Sequence, residues 1–532
     1  MDQSFGISRR GLLAGAAGLG VGLGVGLGSA SPAAAATYDY TSRTSFDTFL
    51  ADFESSGAKG QATDNNEFGY LAWGQAYVLL GLVRMYEATK DTGYLDHLIR
   101  NIDQVLDQRD QVRGVTDHRG ISGPVWRAAT QYNAARATLM DKNGNPLLDV
   151  RTAQRAVNNL ASIEVVHNGE TDTSPFTLIF RDKTNAATTF SNVNFDTGSA
   201  NYVFKVIYNQ YNDNTRISVR DVRPSHATAV GLPVAGKTTL QPANYVYPVH
   251  TGQICHPIAS FVRIVNADPT LKANTQYKAK ADSYLAAVQA AVAFHDYEYW
   301  VNADGFGAYQ WLKETPVPAD GSNMPLNQCN TLGSTYAELY RITGSSAYAL
   351  RMKQLKLCFR SAMTQVGTGS SIRYYWPYWG PRAAAYNGWT ATGFTAKDIS
   401  SFTQTKPAEK QIEDISHAAL NLEFAIDTFR TGLPAPDSAF SLADMQRLAN
   451  TYLLYIKSGA TTAHLNINGT GTAGAGFIDQ IPRWIGIAEW NPAVYTHALA
   501  VTQAQAFQPD QGSHVLGFAY CVYGTIKFGK SS

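Results

Sequence analysis

Hydrophobic positions recur at three- and four-residue spacing over most of the chain, the period of helices that bury one face. Leu71, Tyr77, Leu79, Leu80, Leu82, Val83 and Tyr86 predict a core helix within 68–89, broken by Thr89-Lys90-Asp91-Thr92-Gly93. Leu95, Leu98, Ile99, Ile102, Val105 and Leu106 predict the returning helix over 94–108, so the two form an antiparallel hairpin. The same punctuation occurs again: Tyr86 is followed by Thr89 and Tyr94, and Tyr340 by Thr343 and Tyr348, at identical spacings. A repeat on this scale is the mark of stacked helical hairpins. Further helices are predicted over 45–53, 148–162, 258–267, 282–294, 332–341, 347–363, 418–430 and 441–458.

One region breaks the rhythm. From Ile163 to about Tyr247 the pattern changes to short β-branched and aromatic runs bounded by Asn, Asp and Gly, among them 163–166, 176–180, 202–208 and 216–220. These predict an inserted antiparallel β-subdomain, suited to forming a wall over a cleft. The expected organisation is a twin-arginine signal peptide over 1–36, helical hairpins over 37–162, the β-rich insertion over 163–247 and the remaining hairpins over 248–532.

The signal is read from Ser8-Arg9-Arg10-Gly11-Leu12-Leu13 entering a weakly hydrophobic Gly/Ala/Leu/Val run, with cleavage expected before Thr37. No later stretch approaches the roughly 18 consecutive apolar residues of a spanning helix. The mature protein is therefore expected to be exported from a prokaryotic cell, without a membrane partner. Four widely spaced cysteines, Cys255, Cys329, Cys358 and Cys521, form no C-x-x-C pair; one or two disulfides and buried free thiols are both open.

Composition narrows the function. Only 16% of residues are charged while 45% are hydrophobic, with 29 Tyr, 23 Phe and 9 Trp, enough to fill a large core and still line a surface with rings. The formal net charge of +1 offers no global basic field for nucleic acid.

The hairpins, with Leu71-Ala72-Trp73-Gly74-Gln75-Ala76 on an inner helix, resemble the (α/α) toroids of carbohydrate-active enzymes. That superfamily contains six-hairpin glycosidases, uronate-polysaccharide lyases and the helical domain of glucuronyl C5-epimerases. The resemblance covers roughly 65–162 and 249–504. It implies a mainly α, (α/α)6-type toroid with a cleft at one end, lined by the polar ends of inner helices and their loops.

Candidate chemistry centres on Gln411–Phe424. Glu413 and His417 are four apart and Asp414 and His417 three apart, so both carboxylates lie one turn from the imidazole on a helix, ahead of an apolar continuation. Capping by the carboxylates with a satisfied core histidine is the competing reading. His250, at a loop-to-helix junction, is the second candidate. Tyr374, Tyr375, Trp376 and Trp379 crowd around a proline after Arg373, a pattern suited to stacking on a sugar face. Trp311 and Trp490 belong to two further aromatic groups; Asn66, Glu67, Trp73 and Arg119 flank the first hairpin.

Two reactions can be assembled. Elimination on a uronate glycan needs a base (His250 or His417), an acid (Tyr374 or Tyr375) and groups such as Asn66 and Arg373 to neutralise the carboxylate. Hydrolysis needs two carboxyl groups about 5 to 9.5 Å apart, from Glu67, Glu413, Asp414 and Glu489. The Tyr/His/Asn/Arg groups cluster better, so elimination is the expectation, with hydrolysis and non-catalytic glycan binding as alternatives. The expected partner is a polysaccharide or oligosaccharide, with no cofactor and no metal, bound by a monomer.

Overall fold

The computed structural model describes residues 38–129, 133–152, 161–182, 184–209, 217–223, 231–390, 398–400, 403 and 405–529. In chain order its main helices are α1 (Arg43–Ser55), α2 (Ala76–Thr89), α3 (Gly93–Asp107), α4 (Val203–Asn209), α5 (Pro248–Ala267), α6 (Thr275–Ala293), α7 (Leu326–Thr343), α8 (Ser346–Ala362), α9 (Ile415–Phe429), α10 (Leu442–Thr451), α11 (Ala493–Gln505) and α12 (Gly512–Phe528). A 3-10 helical segment over Ile478–Glu489 precedes α11, and one wider helical turn over Leu71–Gln75 leads into α2.

Helix packing closes a ring. α2 packs on α5, α5 on α7, α7 on α9, α9 on the 478–489 segment, that segment on α12, and α12 back on α2. Each inner member has an outer partner: α3, α6, α8, α10 and α11 follow theirs in sequence, and α1 covers α12. Among the described residues this makes six hairpins, so the architecture is an (α/α)6 toroid, with a small antiparallel β insertion. The inner helices all run the same way, which gathers their N-termini at one end.

The repeated hairpin punctuation has a physical basis. Thr89 donates its hydroxyl to the Met85 carbonyl at 2.7 Å and accepts from Asp91 N at 3.2 Å. Thr343 does the same with Leu339 and Ser345, at 2.7 and 3.2 Å. Each threonine thus ties off a helix end while the next residue but none, Lys90 or Gly344 respectively, turns left-handed at φ 63° and 67°. Contact between inner helices is close enough to need glycine: a Cβ on Gly252 of α5 would lie 2.7 Å from the Leu332 nitrogen of α7. Where the ring closes, a Cβ on Gly512 would lie 2.2 Å from the Gly74 carbonyl oxygen.

The insertion begins earlier than the sequence pattern suggests. Strands β1 (Ala135–Met140), β2 (Pro146–Thr152), β3 (Ser162–His167), β4 (Phe176–Arg181), β5 (Ala187–Val193), β6 (Ile217–Asp221), β7 (Gly236–Thr239) and β8 (Gln241–Pro242) form two antiparallel sheets ordered β6-β2-β1-β8 and β5-β4-β3-β7. The register pairs Val150 with Val219 and Val165 with Leu178. Thus 148–152 is strand where a helix was expected, because Leu148 and Val150 fill the β core rather than a helical face. Conversely 202–208, read as strand from its β-branched and aromatic content, falls almost wholly within helix α4. The insertion has its own hydrophobic core, separate from that of the ring. Its ends meet, with Ala243 N donating to the Ala134 carbonyl at 3.1 Å.

The signal peptide lies outside the described residues. Among those described, no helix is long and apolar enough to cross a membrane. All four cysteines are unpaired, three of them buried.

Candidate active site

The N-terminal end of the inner ring carries the polar groups that apolar helix bodies cannot. α9 starts there because Asp414 caps it: its Oδ1 accepts from Ser416 N at 3.0 Å and His417 N at 3.1 Å. The other oxygen, Oδ2, lies 2.7 Å from His417 Nδ1. A carboxylate on Nδ1 fixes the ring orientation and leaves Nε2 for other work. The His417 side chain is only 15% exposed and meets the Tyr378 ring edge-on at 5.1 Å.

Glu413 is fully buried beside it. Trp376 Nε1 and Asn421 Nδ2 both donate to its Oε2, the latter at 2.6 Å, and Asn330 secures Asn421 at 2.6 Å. Burial pushes this carboxyl well above the usual range, the charge of Asp414 adds to the rise, and hydrogen bonds from Trp376, Asn421 and Asn327 offset part of it. Of the two consecutive acids, Glu413 is thus the one whose surroundings favour the protonated form. The side-chain amide of Asn327, at the head of α7, also turns to this carboxyl.

Other polar atoms at this end are unpartnered within the protein. They are Gln328 Oε1 on α7 and the indole nitrogens of Trp311 and Trp379, whose rings meet edge-on at 5.8 Å. Buried donors and acceptors are normally satisfied, so such a concentration is the signature of a surface built to hydrogen-bond something polar. At α12, burial lowers and neighbouring Asp479 and Asp510 raise the basicity of His514, and the carboxylates prevail, carrying it up to about 9.

The sequence candidates divide by this geometry. His417, Glu413 and Asp414 come together, with Trp311 and Trp379 nearby through Tyr378. His250 stands at the head of α5 but is 1% exposed, under Trp73 edge-on at 5.6 Å, with its Nδ1 3.1 Å from Asn66 Nδ2. Asn66 also donates to the Trp126 carbonyl at 3.1 Å and is fully buried, so it holds a loop. Glu67 is clamped between Arg113 and Arg127, both at 2.9 Å. Arg119 pairs with Asp117 and covers the Tyr297 ring at 3.8 Å.

Several candidates belong elsewhere. Tyr374 sits on the strand Arg373–Tyr375, which packs on outer helix α10; its hydroxyl donates to Asp444 at 2.7 Å and accepts from Arg360 and Arg447. Arg373 and Tyr375 turn to Tyr455 of the same outer layer. Trp376 is fully buried as the partner of Glu413, not a stacking surface. Trp490 follows the C-terminal end of the 478–489 segment, at the opposite end of the ring, packed on Phe429; Glu489 there pairs with Arg430.

The sequence reading missed Asn327, Gln328, Asn421 and Tyr378. The signal was available in Asn327-Gln328-Cys329-Asn330, amides opening an apolar helix as Asp414 and His417 open α9.

No protein-family model matches the chain, and no curated protein matches it. Among solved structures, an inactive variant of the α-1,6-mannanase GH76A of Salegentibacter sp. HEL1_6, in complex with α-1,6-mannotriose, is 10% identical, with a TM-score of 0.42 over 92% of this chain and 99% of that chain. A family 76 glycoside hydrolase from a bovine Bacteroides thetaiotaomicron strain is also 10% identical, with a TM-score of 0.27 over 70% of this chain and 77% of that one. The six-hairpin ring stands on this chain's own helix packing.

Proposed function

We propose that the protein is a glycan-cleaving enzyme, a glycoside hydrolase working at the N-terminal end of the inner ring. The observation that supports this best is the pair of consecutive acids at the head of α9 in unlike environments. Asp414 accepts hydrogen bonds from the start of α9 and sits on His417 Nδ1, while burial pushes the Glu413 carboxyl well above its usual range. Two carboxyl groups set apart in this way divide into proton donor and charged partner. Glu413 would protonate the leaving glycosidic oxygen as the C–O bond breaks. The His417–Asp414 pair would take a proton from the water that adds to the anomeric carbon. Asn327, Gln328, Trp311 and Trp379 would hold the sugar hydroxyls.

Elimination is the second reading, favoured by the free Nε2 of His417 beside the Tyr378 ring, a base next to a phenol. The deciding experiment incubates the protein with a panel of neutral and uronic-acid glycans and follows reducing ends together with absorbance near 235 nm. Hydrolysis gives reducing ends alone. A joint rise means elimination, and silence on every glycan removes the enzymatic reading for that panel.

A further inference from the structure

A cavity lies on the ring axis, walled by all six inner members, with Tyr77 from α2, Gln253 from α5, Ser334 from α7, Leu420 from α9, Arg483 from the 478–489 segment and Leu516 from α12. Arg483 is 6% exposed. The other buried arginines, Arg84, Arg151 and Arg223, each pair with a carboxylate. Arg483 pairs with none among the described residues. Its Nη1 donates to the Ser416 carbonyl at 3.2 Å and to Gln480 Oε1 at 3.1 Å, and its guanidinium lies 5.0 Å from the centre of the Tyr77 ring. A buried cation without a counter-charge is costly, and the ring face of Tyr77 compensates only part of it.

Two more groups in the same wall lack partners: Gln253 Nε2, on a side chain 7% exposed, and Ser334 Oγ, on one 2% exposed. The carboxylate in the wall, Glu423, is already engaged by Arg84 and by Tyr520, at 2.8 Å from the latter. The cavity therefore offers a guanidinium, an amide N–H and a hydroxyl, a set that suits an anion. We propose that it is an anion-binding site, with Arg483 supplying the charge and Gln253 and Ser334 the hydrogen bonds. The ligand is either a small inorganic anion or the carboxylate of an acidic sugar, since Arg483 touches the first turn of α9 beside His417. The acidic-sugar source rests on the glycan reading above; the inorganic one does not.

The test is thermal unfolding of the full mature chain in sodium MES, titrated at constant ionic strength with sodium bromide or with sodium glucuronate. The midpoint is expected to rise and saturate with at least one of them, and Arg483→Gln is expected to raise the half-saturating concentration at least about tenfold. A response to bromide identifies an inorganic anion, and a response to glucuronate alone identifies the acidic sugar. If Arg483→Gln does not fold, Gln253→Leu replaces it, with weakened saturation expected. The proposal is overturned if neither salt moves the wild-type midpoint, or if the variant that folds titrates like wild type. Because the readout is binding without turnover, a silent glycan panel leaves it standing.

Discussion

Asp414 performs two tasks that substitution can separate. Asparagine caps a helix as well as aspartate does but cannot hold an imidazole N–H with a charge. Asp414→Asn should therefore leave the unfolding midpoint nearly unchanged while turnover falls about tenfold or more. His417→Ala should cost about a hundredfold or more, the scale of a lost acid or base. Tyr374→Phe, whose hydroxyl serves the outer layer, should keep turnover; steady-state kinetics on whichever glycan is cleaved checks all three. Glu413 adds a pH signature. Its carboxyl holds a proton in the folded chain well above the 4.5 at which it ordinarily titrates, so the stability tied to that proton is complete below about pH 4.5 and is lost as pH rises through the folded value. Glu413→Gln mimics the uncharged form. Wild type should thus lose stability relative to the variant as pH rises from about 4.5, measured by urea unfolding at several pH values. The Asp414–His417 pair was readable from its spacing of three, whereas Glu413 precedes the helix and turns to Trp376 and Asn421 instead of the imidazole. The tyrosines were not, since a run of rings does not say which neighbour each strand residue faces: Tyr374 turns to Asp444, and Trp376 to Glu413.

Helices with a clean three-and-four period, such as α2 and α3, were legible in the sequence, and so was the threonine that ends α2 and α7. The 478–489 segment was hidden by Pro482 and Gly486, which weaken the helical pattern and accompany its tighter winding. α12 mixes glycine with apolar residues all round, as an inner helix flanked by two neighbours and an outer cover should. Glycine in these helices is a packing requirement. Gly252→Ala would push a methyl into the α7 backbone at Thr331 and Leu332, and should cost about 1–3 kcal/mol by denaturant unfolding, the usual range for overpacking. An equal midpoint in the variant would mean that α5 and α7 can slide apart without loss.

For the whole molecule, the separate core of the β insertion and its adjoining ends make it removable in principle. A chain in which 135–242 is replaced by a short Gly/Ser link from Ala134 to Ala243 should still fold, with the ring's cooperative transition preserved; loss of that transition in calorimetry would show that the insertion is part of the ring's stability. The salt links from buried Arg151 and half-buried Arg220 to Glu314 would be lost, but both arginines leave with the insertion and Glu314, 39% exposed, can be hydrated in their place. Sequence alone placed the insertion but not its start, because β1 and β2 carry the same aliphatic residues as a helix would.

The contact of α12 with α2 bears on how such a chain is made. The helix that completes the ring follows every other inner member in the chain, so the earlier inner helices must wait with one flank uncovered. Contacts of such large sequence separation form late, and until then the exposed flanks invite association with other chains. A nascent chain of this design has therefore most to gain from a chaperone just before α12 emerges, and a stop ahead of Gly512 would leave not a slightly shorter ring but an open horseshoe with two unsealed edges.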